Sequence, residues 1–198
     1  MPGTVRFILD GKLVELDRVE PTRSVLQYLR EDLLRVGSKE GCAEGDCGAC
    51  TVVIAELAGD ALQYRAVNAC IQFLPTLDGK ALFTVESLKA SDGSLHPVQQ
   101  SLVDHHGSQC GFCTPGFVMS MFALYKNNPS PTRADIDDAL SGNLCRCTGY
   151  RPIIDACMHM YDYPVAPVSD TQLVEQLRGL QRQQGMSLEF EQASYHAP

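Results

Sequence analysis

The sequence lacks long apolar runs and any surplus of positive charge. No stretch approaches the roughly 18 consecutive apolar residues that a membrane-spanning helix needs, and the first residues lack the charged-then-apolar layout of a secretory signal. The 16 Lys and Arg residues are outnumbered by 24 Asp and Glu residues, which gives a formal net charge of −8. Such a charge argues against nucleic acid or an anionic membrane as a binding partner. We therefore expect a cytoplasmic protein that binds neither.

Signatures of nucleotide binding and of catalysis are also missing. No Gly-x-Gly-x-x-Gly pattern stands between a strand and a helix, and the segment from Gly107 to Gly111 does not form one. The sequence also supplies no recognisable general base or nucleophile. We therefore expect that the chain is not catalytic by itself.

Nine cysteines are present, and eight of them form two groups of four. In a cytoplasmic protein, cysteines at close spacings are metal ligands more often than disulfide partners. The ninth, Cys157, lies in a helical apolar pattern beside Ile153 and Ile154, which predicts a buried structural thiol. The two groups are Cys42, Cys47, Cys50 and Cys70, and then Cys110, Cys113, Cys145 and Cys147.

The first group has the spacing C-x4-C-x2-C, with a fourth cysteine after 19 further residues. This is the plant-type spacing of a [2Fe–2S] cluster. Gly41, Gly45 and Gly48 punctuate the loop, and glycine reaches the positive φ angles that turn backbone N–H groups toward a cluster. A zinc site usually combines two close cysteine pairs, whereas Cys70 stands alone. The pattern therefore favours a [2Fe–2S] cluster over zinc or free thiols.

The second group is ambiguous by spacing alone. Cys110 and Cys113 form a C-x2-C pair, and 31 residues later Cys145 and Cys147 form a C-x-C pair. Two close pairs suit either a second cluster or a tetrahedral four-cysteine zinc site. A redox dithiol at Cys110 and Cys113 would leave the other pair unexplained. The spacing leaves the cluster and the zinc site open.

Hydrophobic periodicity predicts a mixed sheet crossed by one helix in the first part of the chain. The helix begins at Ser24 and runs to about Leu34. Its apolar face carries Val25, Leu26, Leu29 and Leu33. The predicted strands cover Val5 to Leu16, which turns at Asp10-Gly11, then Thr51 to Leu57, Leu62 to Val67, and Ala81 to Val85.

The period becomes helical from about Ser91, and four short helices predict a small bundle. They cover Pro97 to His106, Thr114 to Tyr125, Thr132 to Leu140, and Tyr150 to about His159. In the tail, the helical spacing of Leu173, Leu177 and Leu180 predicts one marginal helix in an otherwise irregular terminus. We predict an α+β protein with domains at residues 1–88 and 89–163 and a tail at 164–198.

Three segments around the cysteines resemble the iron–sulfur part of the molybdenum hydroxylases, and in particular of the xanthine dehydrogenases. These segments run from Lys39 to Thr51, from Gln109 to Phe117 and from Asn143 to Ile153. The resemblance covers all eight paired cysteines and implies a second [2Fe–2S] cluster. It also implies a β-grasp ferredoxin fold for the first domain, a four-helix-bundle cluster domain for the second, and a tail that leads toward a flavin domain or a partner subunit.

The resemblance further implies an electron-transfer role. Hypoxanthine or xanthine would be hydroxylated, finally to urate, at a molybdopterin centre in a large subunit. This chain would pass the electrons on singly to FAD in a separate subunit or domain, with NAD as the final acceptor. Gln109 and Cys147 match family residues that approach the molybdopterin. The second cluster would face the molybdopterin, and the first would face FAD.

Two alternatives remain at the level of the sequence. The same relay could serve another molybdenum hydroxylase, whose substrate is an aldehyde, carbon monoxide or an N-heterocycle, because related enzymes share these cysteines. A different class of protein, a zinc-stabilised interaction module without redox activity, would use the same thiols as structural zinc ligands.

Overall fold

The computed structural model describes residues 3–90, 92–164, 170–182, 185–190 and 193–197. It consists of a mixed five-stranded sheet, a group of helices packed against that sheet, and a C-terminal segment that returns to it. Within these ranges no helix is both long enough and apolar enough to cross a membrane.

The sheet is built from two hairpins joined by a central strand. The strands are β1 (Thr4–Leu9), β2 (Lys12–Asp17), β3 (Thr51–Ala58), β4 (Ala61–Asn68) and β5 (Ala81–Phe83). They are arranged in the order β2-β1-β5-β3-β4, with β5 parallel to β1 and antiparallel to β3. Asp10 and Gly11 have φ angles of 52° and 71°, as the two-residue turn of a twisted hairpin requires. The predicted mixed sheet is confirmed, and the fold is that of a ferredoxin-like domain.

The helix predicted from Ser24 to about Leu34 is shorter than expected. The Ser24 hydroxyl caps α1 (Val25–Gln27) by accepting the Gln27 amide at 3.1 Å. The chain then widens into one π-helical turn, closed by the Leu33 amide donating to the Tyr28 carbonyl. Because a π turn holds one residue more than an α turn, Leu33 leaves the apolar face and is 37% exposed. The prediction that Leu33 lies on the buried face was therefore wrong, whereas Val25, Leu26 and Leu29 are buried.

The helical part matches the predicted bundle closely. Its helices are α2 (Pro97–Asp104), α3 (Thr114–Asn127), α4 (Arg133–Leu140) and α5 (Arg151–His159). Thr132 caps α4 through a hydrogen bond from the Asp135 amide. The long helix α3 packs on β3 and β4 as well as on α2 and α4. An apolar core therefore runs without interruption from Ile8 and Val53 of the sheet to Phe117 and Met119 of α3.

The described parts of the tail, residues 170–182, 185–190 and 193–197, contain more regular structure than the sequence predicted. Helix α6 (Asp170–Leu180) buries Leu173, Leu177 and Leu180 against the sheet and the helical part. Its first residue, Asp170, accepts hydrogen bonds from Lys126 at 2.7 Å and from the Tyr64 hydroxyl at 2.8 Å. Two further strands, β6 (Met186–Phe190) and β7 (Ala193–Ala197), pair antiparallel, and they were not predicted. The domain boundaries at 88 and 163 stay predictions.

Truncating Leu177 to alanine is expected to lower the free energy of unfolding by about 2–5 kcal/mol, because the side chain is fully buried. Leu13→Ala is the matched control, since Leu13 is 51% exposed. This variant should lower the free energy of unfolding by no more than about 0.5 kcal/mol. Denaturant unfolding of both variants measures the difference. Equal small losses would mean that α6 does not pack on the body of the protein in solution.

Candidate metal centres

The first cysteine set lies in the loop before β3 and just after β4. Cys42, Cys47 and Cys50 come from the loop, and Cys70 from the turn that follows β4. The Cys47 thiol is among the groups that shift the pKa of Cys42, and the Cys70 thiol is among those that shift the pKa of Cys50, so the two members of each pair lie close together. The structure therefore brings all four predicted ligands of this set together as two pairs.

Backbone amides of the loop converge on the Cys42 sulfur. The amides of Cys47 and Asp46 donate to Sγ of Cys42 at 3.3 and 3.4 Å. These hydrogen bonds, with the Cys47 amide contributing most, lower the pKa of Cys42 to about 6. A thiolate is the form that binds a metal, and amide donors to sulfur are the contacts that tune a cluster. The amide donors and the readily ionised thiol of this loop thus fit a cluster.

Glycine is needed in this loop for two different reasons, which are backbone conformation at some positions and lack of space for a side chain at another. Gly45 and Gly48 have φ angles of 80° and 71°, which confirms the predicted positive angles. Gly41 does not have a positive φ angle, so the prediction was wrong for this residue; a Cβ there would instead lie 2.9 Å from the Cys47 sulfur.

At the inner end of the loop, burial together with the Cys70 thiol raises the pKa of Cys50 to about 12. Deprotonation of Cys50 therefore needs a compensating cation such as a metal.

The second cysteine set lies where α3 and α5 begin. Cys113 is the N-cap residue of α3, and Cys145 and Cys147 precede α5. The Cys147 thiol contributes to the pKa shift of Cys110, and the Cys145 thiol to that of Cys113, so these thiols lie close together across the two segments. The positive ends of the two helix dipoles favour negative charge at this place. The arrangement suits a cluster on four thiolates.

Burial and hydrogen bonding shift the pKa values of the thiols in the second set in opposite directions. Burial raises the pKa of Cys113 to about 12, with the Cys145 thiol adding to the effect. Burial acts in the same direction on Cys145, but the Thr148 hydroxyl at 3.2 Å and neighbouring amides outweigh it and lower its pKa. The Phe112 amide and the Cys147 thiol lower the pKa of Cys110. Each pair thus contains one thiol that ionises more readily than its partner.

Both sets share a two-and-two pairing of thiols. A [2Fe–2S] cluster takes two protein ligands on each iron, and this pairing meets that requirement. Across the part of the chain that the structure describes, no three or more His, Cys, Asp or Glu side chains form a group suited to one metal ion. Cys157 belongs to neither set; it is fully buried, as predicted, and burial raises its pKa to about 12.

The second set is open on one side. Gln109, Cys110 and Cys147 are all exposed. Leu144 and Phe112 lie in the same two cysteine-bearing segments, with exposed fractions of 51% and 48%. Contact of Gln109 and Cys147 with molybdopterin stays a prediction, but both residues are accessible to a partner.

The two ligand loops touch directly. The Leu144 amide, next to Cys145, donates to the Cys47 carbonyl at 3.1 Å. Beside this bond, the amide nitrogen of Asn143 donates to the Gly48 carbonyl at 3.0 Å. Sequence reasoning missed Asn143 as a functional residue, because a Ser-Gly-Asn segment after a helix reads as a helix break. We call this contact region the junction; it comprises Cys47, Gly48, Gly116, Gly142, Asn143 and Leu144.

Comparison with known protein families supports two cluster domains. Residues 7–74 match a family described as a 2Fe-2S iron-sulfur cluster binding domain. Residues 84–158 match a second family, described as a [2Fe-2S] binding domain. The two matches separate the two cysteine sets, with Cys42 to Cys70 in the first and Cys110 to Cys147 in the second.

Individual relatives belong to larger enzymes. The chain is 50% identical to xanthine dehydrogenase of Emericella nidulans over 155 residues, and 48% identical to aldehyde oxidase 1 of Rattus norvegicus over 158 residues. These matches cover 77% and 79% of this chain but only 11% and 12% of the relatives. The crystal structure of quinoline 2-oxidoreductase from Pseudomonas putida 86 matches 90% of this chain and 97% of its own, with 32% identity and a TM-score of 0.67. The chain therefore belongs to the molybdenum hydroxylase family, of which it is the iron–sulfur part.

Proposed function

We propose that this chain holds two [2Fe–2S] clusters, one on each cysteine set, and relays electrons between them in a xanthine dehydrogenase that hydroxylates hypoxanthine and xanthine. The observation that carries the relay is the 3.1 Å hydrogen bond from the Leu144 amide to the Cys47 carbonyl. It joins the neighbour of one ligand, Cys145, to a ligand of the other set. When bound, the clusters supply one-electron oxidation and reduction.

The residues have distinct roles in this proposal. The eight paired cysteines are the metal ligands. The amides of Asp46 and Cys47 stabilise the thiolate of Cys42, and the Thr148 hydroxyl acts in the same way on Cys145. The shared core keeps the two loops in contact, which excludes water from the Gly48 side of the junction, where Gly48 and Asn143 are buried.

The direction of transfer follows from which set is exposed. We infer that the second set faces a molybdopterin-binding large subunit, because Gln109, Cys110 and Cys147 are accessible there. The amide of Gln109 can both donate and accept hydrogen bonds, as the edge of a pterin requires. The first set is the proposed exit toward FAD on another subunit or domain, with NAD as the final acceptor.

An aldehyde is the second candidate substrate. The identities to a xanthine dehydrogenase and to an aldehyde oxidase, 50% and 48%, are nearly equal. Substrate contacts lie outside this chain in the proposed enzyme, so these identities favour neither substrate strongly. The purine assignment rests on the motif segments around the cysteines.

Reduction of the assembled enzyme by defined substrates tests the proposal. The chain is purified together with its partner subunits, and hypoxanthine, an aromatic aldehyde or quinoline is added without oxygen. We expect hypoxanthine to bleach the visible charge-transfer absorption of both clusters. Bleaching by the aldehyde or quinoline alone would replace the purine assignment. Bleaching by dithionite but by none of the three substrates would contradict the proposed enzyme.

A further inference from the structure

The side chain of Asn143 is the most completely bonded polar group at the junction. It is 3% exposed. Its amide nitrogen donates to the Gly48 carbonyl at 3.0 Å and to the Thr51 hydroxyl at 3.1 Å. Its amide oxygen accepts a hydrogen bond from the Ser120 hydroxyl at 2.6 Å. One side chain thus uses both donors and an acceptor within a buried space.

These contacts join three separate parts of the fold. Gly48 stands between two ligands of the first set, Ser120 lies in the middle of α3, and Asn143 is two residues before Cys145. Thr51 opens β3, and its hydroxyl donates to the same Gly48 carbonyl at 2.7 Å. The Gly48 carbonyl is therefore held from two sides, and its position relative to Cys145 depends on Asn143.

The backbone packing leaves little freedom around this side chain. A Cβ on Gly48 would lie 2.2 Å from the Gly142 carbonyl oxygen and 2.6 Å from the Asn143 amide nitrogen. Such distances show that the two loops approach as closely as backbone permits. The Leu144 to Cys47 hydrogen bond lies directly beside this contact. The Asn143 side chain and this backbone hydrogen bond thus join the same two loops at adjacent positions.

We propose that Asn143 is the positioning residue that sets the electronic coupling between the two cysteine sets. The inference rests on the proposed two-cluster function and deepens it. No other side chain of the same shape meets the requirement, because aspartate has no N–H group to donate. A carboxylate at this position would face the Gly48 carbonyl and leave it with one donor fewer, which is costly in a buried place.

The test is Asn143→Asp in the cluster-loaded chain. We expect both [2Fe–2S] signals to remain in the electron paramagnetic resonance spectrum of the reduced protein. The magnetic splitting between them should weaken, and redistribution of an electron between them after pulse reduction should slow by about tenfold. Thr51→Val removes one of the three partners and should produce a smaller change in the same direction.

Asn127→Asp is the matched control. Asn127 of α3 also bridges the helical part and the sheet, since its amide nitrogen donates to the Tyr64 carbonyl at 2.6 Å and its oxygen accepts the Tyr64 amide at 3.2 Å. It has no recorded hydrogen bond to either ligand loop in the described part of the chain. The control should keep the splitting unchanged. An equal loss of magnetic splitting in both variants would mean that the effect comes from weaker packing of the helical part on the sheet in general. That result would overturn the proposal.

The remaining outcomes are also decisive. Unchanged splitting and rate in Asn143→Asp, with both clusters present, would overturn the role of Asn143 and leave the two-cluster function intact. Absence of iron from the unaltered chain would instead refute the proposed function. If Asn143→Asp does not assemble both clusters, Asn143→Ala, which adds no charge, replaces it, and unchanged coupling in that variant refutes the proposal.

Discussion

Replacing Cys113 by alanine is expected to remove the second cluster and leave the first, so that iron falls from about four to about two per chain. Cys113 is partly buried at the N-cap of α3, and its thiol pairs with that of Cys145. Without it, an iron held by Cys145 would lack its second protein ligand. Iron and labile sulfide analysis, together with electron paramagnetic resonance of the reduced protein, measures the result.

Cys157→Ala supplies the matched control for this variant. Cys157 is fully buried and belongs to neither paired set. Its truncation leaves a small cavity but removes no ligand, so the iron content should stay at about four per chain. Full iron content in Cys113→Ala would contradict the ligand assignment. Loss of both clusters would mean that the first set depends on the second through the junction.

Much of the ligand arrangement could be predicted because it is local in sequence. The C-x4-C-x2-C loop needs its cysteines within a few residues of each other, and its glycines show the positive φ angles at Gly45 and Gly48. The hairpin at Asp10-Gly11 and the cap at Thr132 were predictable for the same reason, since each depends on neighbouring residues.

The junction could not be predicted because its contacts are distant in sequence. Asn143 bonds to Gly48 across 95 positions and to Thr51 across 92. An asparagine after Gly142 has the same appearance in a loop whether its amide faces water or a buried carbonyl. The π turn after α1 was not predicted for a different reason. The prediction assumed the period of 3.6 residues of an α-helix, which does not reveal where one extra residue is inserted.

Replacing Gly116 by alanine is expected to open the junction. Gly116 lies in the first turn of α3, and a Cβ there would stand 2.1 Å from the Gly48 carbonyl oxygen. The clashing atom belongs to the backbone, so no side chain can rotate away from it. Gly48 is itself held by Asn143 and Thr51, which leaves separation of α3 from the loop as the remaining relief.

Two effects on the free energy of unfolding compete in this variant. Alanine is the better helix former by at most about 1 kcal/mol, whereas overpacking of a close contact costs about 1–3 kcal/mol, and occasionally more. We expect a net loss of about 2 kcal/mol, together with a weaker magnetic splitting between the two clusters. The iron content should not change, because no ligand is altered. Denaturant unfolding and electron paramagnetic resonance measure the two effects.

Gly179→Ala separates the clash from helix propensity. Gly179 lies in α6, and a Cβ there would meet no atom within 4 Å. The same substitution should therefore stabilise this helix by up to about 1 kcal/mol and leave the splitting unchanged. If Gly116→Ala were as stable as Gly179→Ala and kept its splitting, the close approach of α3 to the Gly48 carbonyl would not exist in solution. The opposite signs expected for the two variants follow from the space at each Cβ alone.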